Sequence, residues 1–183
     1  MKNKALFLDR DGIINKDKGY VYRKEDIDFV EGIFDVIRMF VLKGFMPVIV
    51  TNQSGIGRGL YGEADFAALS QWMQSQFDNA GLPVIPVYYC PHHPTEGIGQ
   101  YRQHCDCRKP EPGMLLTAIA EHHIDASLSF MIGDSWRDIQ AADAAGVRHK
   151  IFVSPGDNEN SQPIDNVTHV TAVSHILSTD VLA

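Results

Sequence analysis

Lys4-Ala5-Leu6-Phe7-Leu8-Asp9-Arg10-Asp11-Gly12 carries an apolar strand straight into two carboxylates. Two Asp at i and i+2 can face one pocket once a strand begins to turn, so this stretch reads as the edge of a reactive site. Alone, Asp-x-Asp is a weak signal, because solvated turns use the same residues. Polar groups at later strand ends give it weight.

Further short apolar runs predict strands over Met46–Val50, Val84–Tyr89, Phe130–Ile132 and Lys150–Val153. Helical periodicity predicts helices over Ile33–Lys43, Glu63–Ala80, Gly113–His122 and Asp138–Ala145, with a short one near Ala172–Leu177. Gly44, Gly81 and Gly146 stand where three of these helices should stop, in the left-handed cap that glycine fills cheaply. Trp72, Met73 and Phe77 fit an apolar helical stripe and are expected in the core. The alternation predicts an α/β fold, a parallel sheet covered by helices on both faces. The polar stretch 156–168, with Pro163, reads as a surface loop.

The 183 residues suit one domain, and the composition is that of an ordinary water-facing protein, 44% hydrophobic and 21% charged. A net charge of -7 argues against nucleic acid or an anionic membrane as partner. The most apolar stretch, Ile33 to Leu42, is broken by Asp35 and Arg38 and cannot span a bilayer. With no apolar secretory segment at the amino end, a cytoplasmic protein is expected, and Asn166-Val167-Thr168 is treated as a chance glycosylation match.

In such a fold, ligands bind beyond the carboxyl ends of the strands. Asp9 and Asp11 follow the first strand, Thr51 and Asn52 the second, and Gly133-Asp134 the fourth. Clustered carboxylates imply a divalent cation, and an all-oxygen set suits Mg²⁺. Thr51, the amides after it and Lys109 supply donors for phosphate oxygens, so the constellation points to phosphoryl transfer. Each residue also has a plainer reading: a turn for the two Asp, a strand-end cap for Thr51, an exposed cation for Lys109. Asp138, in the first turn of a helix, reads as a cap before it reads as a metal ligand. Gly55-Ile56-Gly57-Arg58-Gly59 lacks both dinucleotide and P-loop spacing and reads as a flexible turn, with Arg58 near the substrate.

The three cysteines all lie between positions 90 and 107, which speaks against a disulfide framework. Cys90-x-His92 and Cys105-x-Cys107 offer four donors for a closed, structural Zn²⁺ site; the rival reading is three reduced thiols and a surface histidine. His92, His93 and His104 are all near enough in sequence to complete it. His122 and His123, near a helix end, read as surface residues.

With its four motifs in order, the chain resembles the haloacid dehalogenase (HAD) superfamily of phosphatases: Asp9-Arg10-Asp11-Gly12, then Thr51, then Lys109, then Gly133-Asp134. Within it, Thr51-Asn52-Gln53-Ser54-Gly55-Ile56-Gly57-Arg58-Gly59, Tyr89-Cys90-Pro91-His92-His93-Pro94 and Cys105-Asp106-Cys107-Arg108-Lys109-Pro110 are similar to the heptose-bisphosphate phosphatase subgroup. Histidinol-phosphate phosphatases are the nearest relatives in this motif set. The resemblance implies a Rossmann-like three-layer fold around a central parallel sheet, a single domain over 1–183 with no large cap domain, and a zinc-bound loop over 90–107. Asp9 would be the nucleophile and Asp11 the acid and base. Mg²⁺ would be held by Asp9, Asp134 and the Asp11 carbonyl. Thr51 and Lys109 would hold the transferring group. Asp17, Lys18, Gly19, Tyr20, Asn52, Gln53, Ser54, Arg108 and Ser135 would bind a small phosphorylated sugar, and family position selects His92 as the zinc ligand with Cys90, Cys105 and Cys107. A monomer in surface-glycan synthesis is expected. Ser135 stands where many relatives carry lysine.

Overall fold

The computed structural model of the protein describes residues 2–156 and 163–182. The first strand, β1 (Lys4–Leu8), is fully buried from Ala5 to Leu8, which only cover on both faces can achieve. Alternate side chains point to opposite faces of a strand. Leu6 and Leu8 therefore enter one core with α1 (Ile33–Leu42), and Ala5 and Phe7 enter another. The sheet continues through β2 (Phe45–Asn52), β3 (Val87–Cys90), β4 (Phe130–Gly133), β5 (His149–Val153) and β6 (Val167–Val170). All pairings are parallel, in the order β3-β2-β1-β4-β5-β6.

Besides the four-residue turn α2 (Ser54–Gly57), the remaining α-helices among the described residues are α3 (Glu63–Asn79), α4 (Gly113–Glu121) and α5 (Trp136–Ala144). The short helix expected near Ala172–Leu177 is a 3-10 helix, Val173–Ser178. Met73 and Phe77 of α3 join the first core with Trp72 packed against it, and α4 and α5 close the second. The result is the expected three-layer arrangement. Gly44, Gly81 and Gly146 all take positive φ just past helix ends. Among the described residues, no helix is long and apolar enough to cross a membrane.

Three expectations need correction. The third strand starts at Val87 rather than Val84, which is 81% exposed and lies before Pro86. The expected loop over 156–168 partly lies outside the described residues, and at its end β6 begins at Val167. Among the described residues this edge strand pairs only with β5, and its middle residues are exposed, so it carries no apolar run. The glycine-rich stretch after β2 is not a flexible turn but holds α2. A Cβ at Gly57 would sit 2.4 Å from the Pro91 carbonyl oxygen, and one at Gly55 would overlap the Tyr61 ring. These glycines serve close packing.

The strand order turns back at β1, with β2 and β3 on one side and β4 onward on the other. Such a switch point is where ligands bind in open α/β sheets. Leu8 pairs with Ile49 on one side and Ile132 on the other, so Asp9, Val50 and Gly133 come next at one level.

Candidate active site

Just past β1, the Asp9 amide donates to the Ile132 carbonyl at 3.0 Å. Its Oδ1 accepts from the Arg10 amide at 2.8 Å and from Lys109 Nζ at 2.9 Å. Lys109 is 2% exposed, which removes the surface-cation reading. Its ammonium also donates to the Val50 carbonyl at 2.7 Å and pairs with Asp138 Oδ1 at 2.7 Å. Three protons thus find three acceptors. The Lys109 backbone is fixed as well, its N–H and C=O exchanging two 3.0 Å hydrogen bonds with the Asn52 side-chain amide.

Asp138 does both things its position allowed. Its Oδ2 accepts from the Ser135 amide at 3.0 Å, closing a capping box at the start of α5, while Oδ1 holds Lys109. With both oxygens engaged, Asp138 leaves Asp9 and Asp134 better placed to meet a cation. The three carboxylates offer oxygens within 4.8 Å of one another. One ammonium does not balance them. Burial first, then the Asp138 charge, pushes the Asp9 carboxyl up to about 8 against the pull of Lys109. Desolvation, Asp138 and Asp17 push Asp134 up to about 7, although its residue surface stays open to the cleft. Burial works against the Lys109 ammonium, yet Asp138 and Asp9 outweigh it and hold its pKa above the usual value. An all-oxygen cluster with excess negative charge fits Mg²⁺ by donor type.

Asp11 is clasped from three directions. Arg10 Nη2 reaches its two oxygens at 2.8 and 2.9 Å, Asn15 Nδ2 donates at 3.0 Å, and Gln53 Nε2 donates at 3.0 Å. Gln53 is held in turn: it donates to Thr51 Oγ1 at 2.8 Å and accepts from Tyr61 Oη at 2.5 Å. Arg10 is itself 2% exposed and donates to the Val21 carbonyl at 2.7 Å.

A cleft of about 420 Å³ opens over these groups. Asp9, Asp11, Asp17, Gly19, Tyr20, Asn52, Gln53, Ser54, Arg108, Lys109, Asp134 and Ser135 of the expected set all line it. Two do not. Thr51, 1% exposed, lies beneath the lining, and Lys18 turns aside to the Asp26 carbonyl at 3.2 Å. Sequence reasoning missed Arg10, Tyr61 and Arg137. Arg10 looks like a solvated cation between two acids, Tyr61 reaches the cleft only through tertiary packing, and Arg137 is held there locally by Ser135 at the start of α5.

Beside the cleft, Cys90, His92, Cys105 and Cys107 form a second cluster. Cys107 Sγ lies 2.9 Å from Cys90 Sγ, 3.5 Å from Cys105 Sγ and 3.4 Å from His92 Nδ1. Tetrahedral Zn²⁺ with bonds of about 2.3 Å needs donors roughly 3.8 Å apart, so a small expansion would seat the ion. The contact with Cys90 is the main cause that lowers the Cys107 thiol to about 5, and the same contact raises Cys90. Of the three candidate histidines, His92 faces the thiols, whereas His93 Nδ1 accepts from the Thr95 and Glu96 amides.

Comparison with known proteins agrees with this geometry. A family model described as HAD-hydrolase-like matches residues 106–178. D-glycero-beta-D-manno-heptose-1,7-bisphosphate 7-phosphatase of Vibrio cholerae serotype O1 is 49% identical, over 85% of this chain and 84% of its own. The alpha-anomer enzyme of Burkholderia mallei is 46% identical, over 86% and 83%. The crystal structure of D,D-heptose 1,7-bisphosphate phosphatase from B. bronchiseptica, complexed with magnesium and phosphate, superposes with a TM-score of 0.81 at 28% identity, covering 96% of each chain. The chain is a HAD-like phosphoric monoester hydrolase, and it belongs to the heptose-1,7-bisphosphate 7-phosphatase family.

Proposed function

We propose that this chain removes the 7-phosphate from D-glycero-D-manno-heptose 1,7-bisphosphate, in the cytoplasm, on the way to activated heptose for lipopolysaccharide. The observation that carries the reading is the Asp9–Lys109 pair beside the clasped Asp11, within a chain nearly half identical to relatives of that name. Asp9 attacks phosphorus through the oxygen that Lys109 leaves free. The bond to the sugar oxygen breaks as an aspartyl-phosphate forms. Asp11, protonated at that moment, gives its proton to the departing oxygen. It then takes a proton from the water that splits the aspartyl-phosphate, releasing inorganic phosphate and restoring Asp9.

Arg10, Asn15 and Gln53 orient Asp11 for both transfers. Lys109 keeps Asp9 aimed and adds positive charge for the phosphoryl oxygens, and the Thr51 hydroxyl, accepting from Gln53, keeps its own proton to donate. Bound Mg²⁺ would supply charge neutralisation, held by Asp9, Asp134 and the Asp11 carbonyl. Cys90, His92, Cys105 and Cys107 would hold Zn²⁺ and clamp the loop that leads into Arg108 and Lys109.

Steady-state rates on α- and β-heptose 1,7-bisphosphate, histidinol phosphate and simple sugar phosphates test this. One heptose anomer should give the highest kcat/KM. A preference for histidinol phosphate would overturn the substrate assignment while leaving the phosphatase chemistry intact.

A further inference from the structure

Three guanidinium groups stand around the cleft: Arg58 after α2, Arg108 beside the Cys/His cluster and Arg137 in the first turn of α5. In a chain with 23 acidic side chains against 16 basic ones, a cation next to carboxylates is expected to find one. Arg58 does, pairing with Glu96. Arg108 and Arg137 do not. Among the described residues, Arg108 Nη1 donates to the His92 carbonyl at 3.2 Å and Arg137 Nε to the Ser135 hydroxyl at 3.3 Å, and neither reaches a carboxylate. Both guanidinium groups line the same cleft as Asp9 and Lys109.

Ser135 explains how this arrangement is kept. Its Oγ accepts from both the Arg137 amide, at 3.4 Å, and the Arg137 Nε. The hydroxyl that caps α5 therefore also aims the guanidinium at the cleft. The transferring phosphoryl group is already served by Lys109 and the β2 end, so this cationic pair suits a different anion. A guanidinium presents a planar fork of donors that matches phosphate oxygens in pairs.

We propose that Arg137, aimed by Ser135 and acting with Arg108, binds the second phosphate of a bisphosphorylated substrate, the one that is not transferred. This rests on the heptose-bisphosphate reading of the substrate. It makes Arg137 a specificity residue that contributes to binding and leaves the chemical step alone.

The test compares heptose 1,7-bisphosphate with heptose 7-phosphate, which differ only in the group Arg137 would hold. Arg137→Gln should raise KM for the bisphosphate roughly tenfold, as loss of a charged hydrogen bond does, with kcat and the monophosphate kinetics nearly unchanged. Ser135→Ala should move the same KM in the same direction by less. Equal effects on both esters, or no effect on either, would overturn the inference. If the wild-type protein turns over neither heptose ester, the substrate reading fails on its own. Arg137 is then judged by inhibition of 4-nitrophenyl phosphate hydrolysis. Fructose 1,6-bisphosphate should inhibit more strongly than fructose 6-phosphate, and Arg137→Gln should erase that difference; a difference that survives the substitution sinks the proposal.

Discussion

The cleft and the Cys/His cluster each crowd ligand-type side chains within 4.8 Å, yet different forces hold them there. In the cleft, parallel register levels Asp9 with Gly133, the capping box of α5 fixes Asp138, and a buried ammonium ties the two carboxylates together. In the other cluster, Cys90 ends β3, while His92, Cys105 and Cys107 lie on a loop whose own regular structure is one 3-10 turn, Gly99–Tyr101. Nothing comparable to a strand pair positions these three. A site built on strand ends is preorganised, and an ion bound there as proposed would adjust its charge; on a loop, the proposed ion would itself hold the ligands in place. The two meet at Arg108 and Lys109, which come directly after Cys107.

The largest effect should come from the preorganised side. Asp9→Asn removes the carboxylate proposed to attack phosphorus and should cut turnover at least about 10⁴-fold. It should leave the fold intact, because it also relieves a crowded charge. Wild-type rates in this variant, measured with heptose 1,7-bisphosphate, would reduce Asp9 to a structural residue.

A smaller effect is expected from the loop. Purified protein should contain about one zinc per chain by metal analysis. Stripping it should speed hydrogen exchange over 90–107 and lower kcat roughly 10- to 100-fold, while the strands keep their protection. A chelated protein with unchanged exchange and unchanged kcat would erase the contrast between the two clusters.

The smallest expected effect concerns charge in the cleft. Without Mg²⁺, the folded Asp9 and Asp134 titrate near 8 and 7, against about 4 for an unfolded carboxyl. Between these limits the folded chain holds more protons, so this contribution to stability is complete below about pH 4 and is lost as pH rises toward 8. Mg²⁺ bound as proposed would replace those protons. Its addition should raise the melting temperature more at pH 8 than at pH 5.5, and an equal rise at both would show that the carboxylates do not compete for protons and metal.

Much of this was legible because β-α alternation turns linear order into spatial order. Once β1, β2 and β4 are recognised, Asp9, Thr51 and Gly133-Asp134 must share an edge. The cysteine pairs were legible for a different reason, since few roles draw three thiols within eighteen positions of each other. What escaped depends on packing between distant segments. Arg10 becomes a buried clasp only because Val21 folds over it, and Tyr61 reaches Gln53 only because Gly55 leaves room for its ring. β6 escaped because an edge strand with an exposed middle needs no apolar pattern.

The central place of β1 also shapes how the protein is made. Its partner β2 is complete at Asn52, but its other partner β4 begins only at Phe130. At ribosomal speeds of 5–20 residues per second, that interval leaves one margin of an apolar strand unpaired for roughly 4–16 s. Such an edge is a template for association between newborn chains. Rapid overproduction should therefore yield aggregates that slower translation or a chaperone that shields nascent chains reduces, a burden that comes with completing the central strand from a segment so far downstream.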